Sequence, residues 1–456
     1  VPYDKKMGRL IKNKAVFTIK LLADGTLDKF KARIVAKGFS QIDGKNYDSK
    51  QLYAPVVRLV TVRLLATLFA AMPGVNYFHW DVSQAYLWAE LDQDIYMDKF
   101  EGMDIPDGSC LKLKKCLYGL KQSAAKWNEK LVGVLKDLGF VQSQYDHCLW
   151  LLQRKDKWVA LCVFVDDMAG FTNDNNLRDE ILKELNVKFK TEDRGDLKWF
   201  LATSFERNTT EGYVDLLQEK FASDLADSLG YVKGKGRKAM APQRANEVLT
   251  KDMGGITSGA KEEDKEIIRE FDYRSKIGKL LYLVNCTRPD LTQTTKILAQ
   301  FVTDPGIKHI DAFKHAGRYI GETAHEPLRL HGPRTLEACL GLVGDANDAN
   351  SPDHRRSCYA VLSFIGNVTT NAQINNEFQF SIEDKLSFFD WSSHWTETVT
   401  YSSCESEMFP ISKATRIAFE LRPLLAEIGF RQDWPTPIYT DSMSAKIIVE
   451  GNHPAQ

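Results

Sequence analysis

Asp166 and Asp167 stand side by side in Trp158–Phe171, WVALCVFVDDMAGF, between two runs of apolar, β-branched and aromatic residues. That pattern predicts a β-hairpin with the two acids at its tip. An Asp-Asp pair in a turn is ordinarily a solvated pair of surface charges. Here apolar residues close in from both sides, so leaving the charges unpaired is costly, and carboxylates in that setting commonly share a divalent cation. Such a site needs a further acid. Phe78–Leu91, FHWDVSQAYLWAEL, offers Asp81 at the end of a strand-like run, with the aromatic Tyr86 five positions on. Farther along, Asp345 follows an apolar strand in GLVGDANDANSPDHRRS, Glu407 opens a helix in SSCESEMFPISKA, and Asp441 ends a strand in PIYTDSMSAKIIVE. Each of these three, taken alone, reads as a helix cap or a surface acid.

The flanking segments must position these acids. From Lys14, AVFTIKLLADGTLDKFKARIVAKGF alternates about the turn signal Asp24-Gly25, predicting a hairpin with Lys29, Lys31, Arg33 and Lys37 on its second strand. Taken alone, they read as a solvated strand edge. Val56–Met72 has helical period and the composition of a buried helix. Ser123–Gly139 is an amphipathic helix ending at a glycine cap, with Lys112, Lys114, Lys115 and Lys121 before it. Lysines near a helix start are either solvated or hold an anion. After the acid hairpin come a polar-faced helix (NLRDEILKELNVKFKTED), a strand pair (DLKWFLATSFERN, GYVDLLQ) and a helix from Glu219 to Leu229. Gly230 to Lys265 is polar and glycine-rich and reads as a mobile connection, whereas Tyr273–Thr323 is rich in helix formers and basic residues.

A chain of 456 residues, 43% hydrophobic and 27% charged, can bury a large core and predicts two or three domains. The net charge of -1 argues against a generally basic nucleic-acid binder, so phosphate contacts must come from local Lys and Arg clusters. The eight cysteines include no CxxC pair and read as reduced thiols of an intracellular protein. No apolar run approaches the roughly 18 residues of a membrane span. The start, VPYDKKMGRL, is not a signal peptide, and the missing initiator Met suggests a piece of something longer.

Five ordered segments carry a resemblance: KARIVAKGFSQ (Lys31–Gln41), WDVSQAYLWAEL (Trp80–Leu91), LKKCLYGLKQSAAKW (Leu113–Trp127), FVDDM (Phe164–Met168) and YRSKIGKLLYLVNCTRPDL (Tyr273–Leu291). Together they resemble successive blocks of the reverse transcriptase of Ty1/copia-type LTR retrotransposons, over nearly the whole chain. The resemblance implies an α+β multidomain fold: a right-hand polymerase with fingers, a palm built on an antiparallel sheet, and a thumb or connection, followed by a ribonuclease H-like αβ domain. The expected divisions are 1–229 for fingers and palm, 230–327 for linker and thumb or connection, and 328–456 for the ribonuclease H-like domain. The family's last acid and last helix would lie beyond Gln456, which suggests a domain truncated at its C-terminus.

By the same resemblance, Asp81 and Asp166 hold two magnesium ions, with manganese as a substitute, while Asp167 supports the site and the Val82 carbonyl completes the shell. Lys31 and Arg33 face the triphosphate of the incoming nucleotide. Tyr86 lies under its sugar and excludes a 2'-hydroxyl. Tyr118, Gly119, Lys121 and Gln122 hold the nascent base pair, and Trp199 and Phe200 either grip the primer and template or pack in the core. Asp345, Glu407 (in preference to Glu405) and Asp441 resemble the carboxylates of ribonuclease H, again around two ions. The implied partners are an RNA template, a DNA primer, an RNA–DNA hybrid and dNTPs, with no membrane, in a monomer or a homodimer within cytoplasmic virus-like particles. Two departures from the family stand out: KHAGRYIGET is less basic than usual, and Asn367–Lys385 is extra sequence. Other readings are an RNA-templated RNA polymerase, which Tyr86 argues against, and a decayed element copy that binds nucleic acid without catalysis.

Overall fold

The computed structural model describes residues 1–21, 26–235, 237–333, 338–348, 351–367 and 386–451. The chain is a mixed αβ structure of several sheets, gathered into two compact units: Val1–Arg58 with Asn76–Leu197, and Leu59–Val75 with Lys198–Gln456.

In the first unit the apolar runs become a six-stranded antiparallel sheet, in the order Thr191–Asp196, Asn76–Val82, Asp167–Thr172, Lys157–Phe164, Leu149–Arg154, Val141–Gln142. Side chains alternate across a strand. Phe78, Trp80 and Val82 therefore enter the core together, while His79 and Asp81 take the other face. The core is closed by Trp127, Leu131 and Leu135 of the helix Ser123–Asp137 and by Leu177, Ile181 and Leu185 of Asn175–Lys188, each set at helical spacing. Gly139, at φ +91°, lets the chain turn just beyond the first of these helices, as its position predicted.

Register in this sheet is set by one close approach. Phe78 pairs with Gly170, and a Cβ added at Gly170 would lie 2.1 Å from the Phe78 ring. Three residues farther along the strand, the same register brings Asp81 opposite Asp167.

The expected N-terminal hairpin is Asn13–Leu21 paired with Leu27–Ala36, while its turn signal Asp24-Gly25 lies outside the described residues. Lys31 pairs with Thr18 and Arg33 with Val16, so the two cations share one face. The other face carries Phe17, Ile19 and Phe30, all exposed.

In the second unit, Trp199–Phe200, Thr203–Asn208, Tyr213–Leu217 and Leu328–His331 form one antiparallel sheet. The predicted buried helix is Leu59–Phe69, and it carries a buried cation. Arg63 donates to the carbonyls of Phe389 at 2.6 Å and Asn285 at 2.5 Å, lies 3.6 Å from Asp390, and stacks 4.1 Å from the Trp391 ring. Burial pulls its pKa down to about 10, against the pull of Asp390. At the end of the same helix, the Arg207 guanidinium donates to the carbonyls of Phe69, Ala70, Met72 and Val75, satisfying acceptors that a helix terminus leaves open.

Two of the glycines between 230 and 265, Gly254 and Gly255, serve for close approach. A Cβ at Gly254 would lie 2.2 Å from the Asp304 carboxylate, which accepts from the N–H groups of Ile256 and Thr257. Helices Tyr273–Cys286, Thr292–Ala299 and Ile307–Glu322 follow. A last sheet runs Ser387–Trp395, Cys358–Asn367, Ala338–Asn347, Ile438–Tyr439, the final pair parallel, with the helix Ser403–Ile428 packed against it. Apart from Asn367, the extra sequence lies outside the described residues. Among the described residues no helix is long and apolar enough to cross a membrane.

Gly170→Ala forces the Phe78 ring out of its place and is expected to cost about 1–3 kcal/mol, as overpacking of a core does. Chemical denaturation measures it; a variant as stable as the parent would show that the ring does not set the register.

Candidate functional site

Phe164 pairs with Asp167, so the hairpin turns through only Val165 and Asp166. One acid is thus at the tip, and the other is the first paired residue of the returning strand. Val165 has φ +58°, an unfavourable conformation for a β-branched residue. Its carbonyl accepts from Trp127 Nε1 at 2.7 Å, and that of Asp166 accepts from Val82 N at 2.7 Å. Both tip carbonyls are pinned, which holds the strained turn in place.

Asp81 lies between two acids in register. Asp167 is opposite it on one neighbouring strand and Glu192 on the other, so three carboxylates form a row across three strands beside Asp166. Like charges directly opposed across a ladder repel. Cationic and polar groups offset the repulsion. Arg194 reaches Asp81 at 3.4 Å and Glu192 at 2.9 Å, Ser83 Oγ donates to Glu192 at 2.9 Å, and His79 Nε2 hydrogen-bonds Asp167. Burial pushes the Asp166 carboxyl above the usual range, the charges of Asp81 and Asp167 push it further, and Lys31 opposes them. The Ser83 hydroxyl bond, with help from Arg194, holds Glu192 below the usual range.

Two tyrosine rings lie within reach of the Asp166 charge. Tyr86 and Tyr118 meet edge to face at 4.9 Å, Arg33 lies 5.6 Å from the Tyr118 ring, and both phenols are raised by burial and by the charge of Asp166. Two glycines bring the hairpin against this pair. Ala36 N donates to the Tyr118 carbonyl at 2.8 Å, a Cβ at Gly119 would lie 2.1 Å from the Ala36 carbonyl oxygen, and one at Gly38 would lie 2.0 Å from that of Gly119. Behind them, Gln122 is buried and its amide is used by Gln41 and by the Asn46 carbonyl, while the Lys121 ammonium bonds Tyr47 Oη at 2.8 Å. In the second unit Trp199 is 51% exposed at a sheet edge, whereas Phe200 is 1% exposed and belongs to the core. Of that pair, only Trp199 presents a ring to solvent.

The second unit also gathers acids. Asp345 comes from Ala338–Asn347, Glu407 from near the start of Ser403–Ile428, and Asp441 from just past Ile438–Tyr439, each offering an oxygen within 4.8 Å of the others. Parallel pairing of Val343 with Tyr439 brings the two strand ends level. Gly344 seats the helix, since a Cβ there would lie 2.8 Å from Pro410. Glu407 Oε1 takes the Ala346 N–H at 3.1 Å, and its other oxygen is buried without a hydrogen bond of normal geometry. Burial raises this carboxyl, and Asp345 and Asp441 raise it further. Glu405 is engaged elsewhere, accepting from Tyr401 N at 2.7 Å.

Residues 2–239 match the family described as reverse transcriptase (RNA-dependent DNA polymerase). The chain belongs to this family. It is similar to the retrovirus-related Pol polyproteins from transposon TNT 1-94 of Nicotiana tabacum (27% identical, 96% of this chain and 31% of the relative) and from transposon RE1 of Arabidopsis thaliana (30%, 94% and 27%). It is also similar to the Ty1-H Gag-Pol polyprotein of Saccharomyces cerevisiae (27% identical, 99% of this chain and 24% of the relative). The chain thus spans 24–31% of the length of these relatives. The resemblance read from the five blocks is the family the chain belongs to.

Sequence reasoning passed over Glu192, Arg194, His79, Gly38 and Gln41. His79 had a signal, since parity puts it on the face of Asp81 two residues away. Glu192 and Arg194 had none, because only the pairing of Thr191–Asp196 with Asn76–Val82 brings them there.

A carboxyl whose pKa rises on folding costs stability wherever it is ionised. The cost is absent where Asp166 is protonated both folded and unfolded, and complete at neutral pH. Asp166→Asn is therefore expected to raise the thermal midpoint at pH 7, with the gain fading as pH falls to about 3–4. Thermal melts across that range test it, and a lower midpoint at pH 7 contradicts it.

Proposed function

We propose that this chain is an RNA- and DNA-templated DNA polymerase of a copia-type element, with residues 1–229 acting as fingers and palm, 230–327 as linker and thumb or connection, and 328–456 as a ribonuclease H-like domain. The observation that carries the reading is the grouping of Asp81, Asp166 and Asp167 beside the Tyr86–Tyr118 pair, with Arg33 at the Tyr118 ring and Lys31 near enough to offset the Asp166 charge. The donor set fits hard divalent cations: hard cations take oxygen ligands, and the burial and neighbouring charges of Asp81 and Asp167 that lift Asp166 are what a bound cation offsets. Asp81, Asp166 and the Val82 carbonyl would hold a pair of such ions, magnesium or in its place manganese. When bound, the ions supply the charge that acidifies a primer 3'-hydroxyl and steadies departing pyrophosphate.

The chain's own residues do the rest. Lys31 and Arg33 present positive charge from one hairpin face to a triphosphate. Tyr86, edge-on to Tyr118, forms the floor under the incoming sugar and closes the space of a 2'-hydroxyl. Gly119 lets the hairpin backbone at Ala36 close against the turn that carries Tyr118, and Lys121 and Gln122 act from behind by fixing that turn. Trp199 offers an exposed ring to the primer–template. Template pairing selects the base, while the protein contacts backbone and shape. Asp345, Glu407 and Asp441 would hold the cations of a hybrid ribonuclease, and the buried second oxygen of Glu407 supports that reading.

Primer extension on RNA and DNA templates with magnesium is the deciding experiment. The wild-type chain is expected to extend both, and Asp166→Asn to extend neither while retaining template–primer affinity. Wild-type protein that binds but never extends would instead support a binding-only element copy. Tyr86→Ala is expected to raise ribonucleotide incorporation by at least about tenfold relative to deoxyribonucleotides. Glu407→Gln is expected to stop cleavage of the RNA strand of a labelled hybrid and leave extension intact; loss of both together would contradict separate sites.

A further inference from the structure

In the second unit the helix Thr292–Ala299 meets the last sheet at a buried thiol. Cys358 opens the strand Cys358–Asn367 and pairs with Trp395 across the antiparallel ladder, and alternation puts Ser393 on the same face as Trp395. Gln293 and Lys296 are three positions apart on the helix, so they share one side of it. The two sets of side chains meet. The Cys358 thiol donates to Gln293 Oε1 at 3.4 Å and lies 3.6 Å from Ser393 Oγ, and the same sulfur accepts a hydrogen bond from Lys296 Nζ. Lys296 Nζ also stands 4.2 Å from the centre of the Trp395 ring.

This is an unusual setting for a lysine. Among the described residues no carboxylate pairs with it; its partners are a sulfur and an indole face. Burial lowers the Lys296 pKa, and only Cys358 pulls against that shift. Burial thus favours the free amine, and a free amine is a nucleophile lying against the sulfur. The pair is also within reach of small solutes. Gln293, which holds the thiol, and Trp395, which holds the amine, both line an open concavity of about 570 Å³.

We infer that Cys358 and Lys296 form an oxidative cross-linking site, at which a peroxide drives formation of a sulfur–nitrogen bond between strand and helix. In the first step the Cys358 sulfur attacks one peroxide oxygen and the O–O bond breaks. The departing oxygen takes the thiol proton and leaves as water, and the sulfur is left as a sulfenic acid. In the second step the Lys296 amine places its electron pair on that sulfur and the S–O bond breaks. The hydroxyl leaves with one amine proton as a second water, as when a sulfenic acid condenses with a backbone nitrogen. One peroxide is thus reduced to two waters, and the pair loses two hydrogens. A thiol in excess reverses the change, returning thiol and amine while it is oxidised to its own disulfide. The bond ties together residues 62 positions apart and pins the helix to the sheet.

The full chain is treated with graded hydrogen peroxide, alkylated, digested with trypsin without reductant and read by mass spectrometry. A Cys358 peptide joined to a Lys296 peptide is expected, lighter by about 2 Da than the sum of the two. Trypsin should no longer cut after Lys296, and dithiothreitol should restore both peptides. The oxidised chain is also expected to melt several degrees higher than the reduced one, as closing a loop in the unfolded chain does. Cys358→Ser and Lys296→Arg should each abolish the joined peptide. Lys296→Arg keeps the charge, and its thermal melt before oxidation shows whether it folds; its Cys358 is expected to proceed to the sulfinic acid instead. Parent protein whose Cys358 stays a thiol, or ends as a sulfinic acid or a disulfide with Lys296 still cleavable, would overturn the inference. A joined peptide heavier by one oxygen would overturn the sulfur–nitrogen bond.

Discussion

Carboxylates placed opposite one another across a sheet repel, and the first unit is arranged around tolerating that repulsion. Glu192, Asp81 and Asp167 lie in one row, with Asp166 at the adjoining turn. The row exists because Phe78 covers Gly170 and fixes the register. A slip of one residue would turn Asp81 into the core, where Phe78, Trp80 and Val82 now sit. Arg194, Ser83, His79 and Lys31 then limit the electrostatic cost from the open side. The arrangement trades stability for a strong local negative potential, as functional sites commonly do.

The second unit repeats the device on a different sheet. Gly341 pairs with Phe364, and a Cβ there would lie 2.3 Å from that ring, so a glycine under an aromatic again holds the strand that carries an acid. Asp345 lies farther along that strand, and the helix supplying Glu407 comes close because Gly344 has no side chain to hold Pro410 away. Both clusters therefore depend on glycines within strands, where glycine's weak intrinsic preference is outweighed by the close approach it permits.

Much of this was legible in the chain. Alternation and period located the hairpins and the helices Leu59–Phe69, Ser123–Asp137 and Asn175–Lys188, because their apolar spacing is local. The acids stood out as candidates because their neighbours are apolar and the order of the five blocks is specific. Contacts between distant segments could not be read this way. Arg194 is ordinary in sequence and meets Asp81 only through strand order. The glycines between 230 and 265 look like a flexible tether by composition, yet Gly254 is where backbone passes close to Asp304. Composition reports what a glycine permits, and only packing reveals which of its uses the chain takes.

Arg63 adds a condition on how the second unit is made. Its carbonyl partners are Asn285, Cys286 and Phe389, the last 326 positions along the chain. At a synthesis rate of about 5–20 residues per second, the helix bearing this guanidinium waits roughly 16–65 seconds on the ribosome before its final acceptor has been made. Through that interval a largely apolar helix with a cation in its middle has no native burial available. The newborn chain thus passes through a stage that chaperones, or a slow ordering of later segments, must cover, and burial of this helix is tied to translation of the strand Ser387–Trp395.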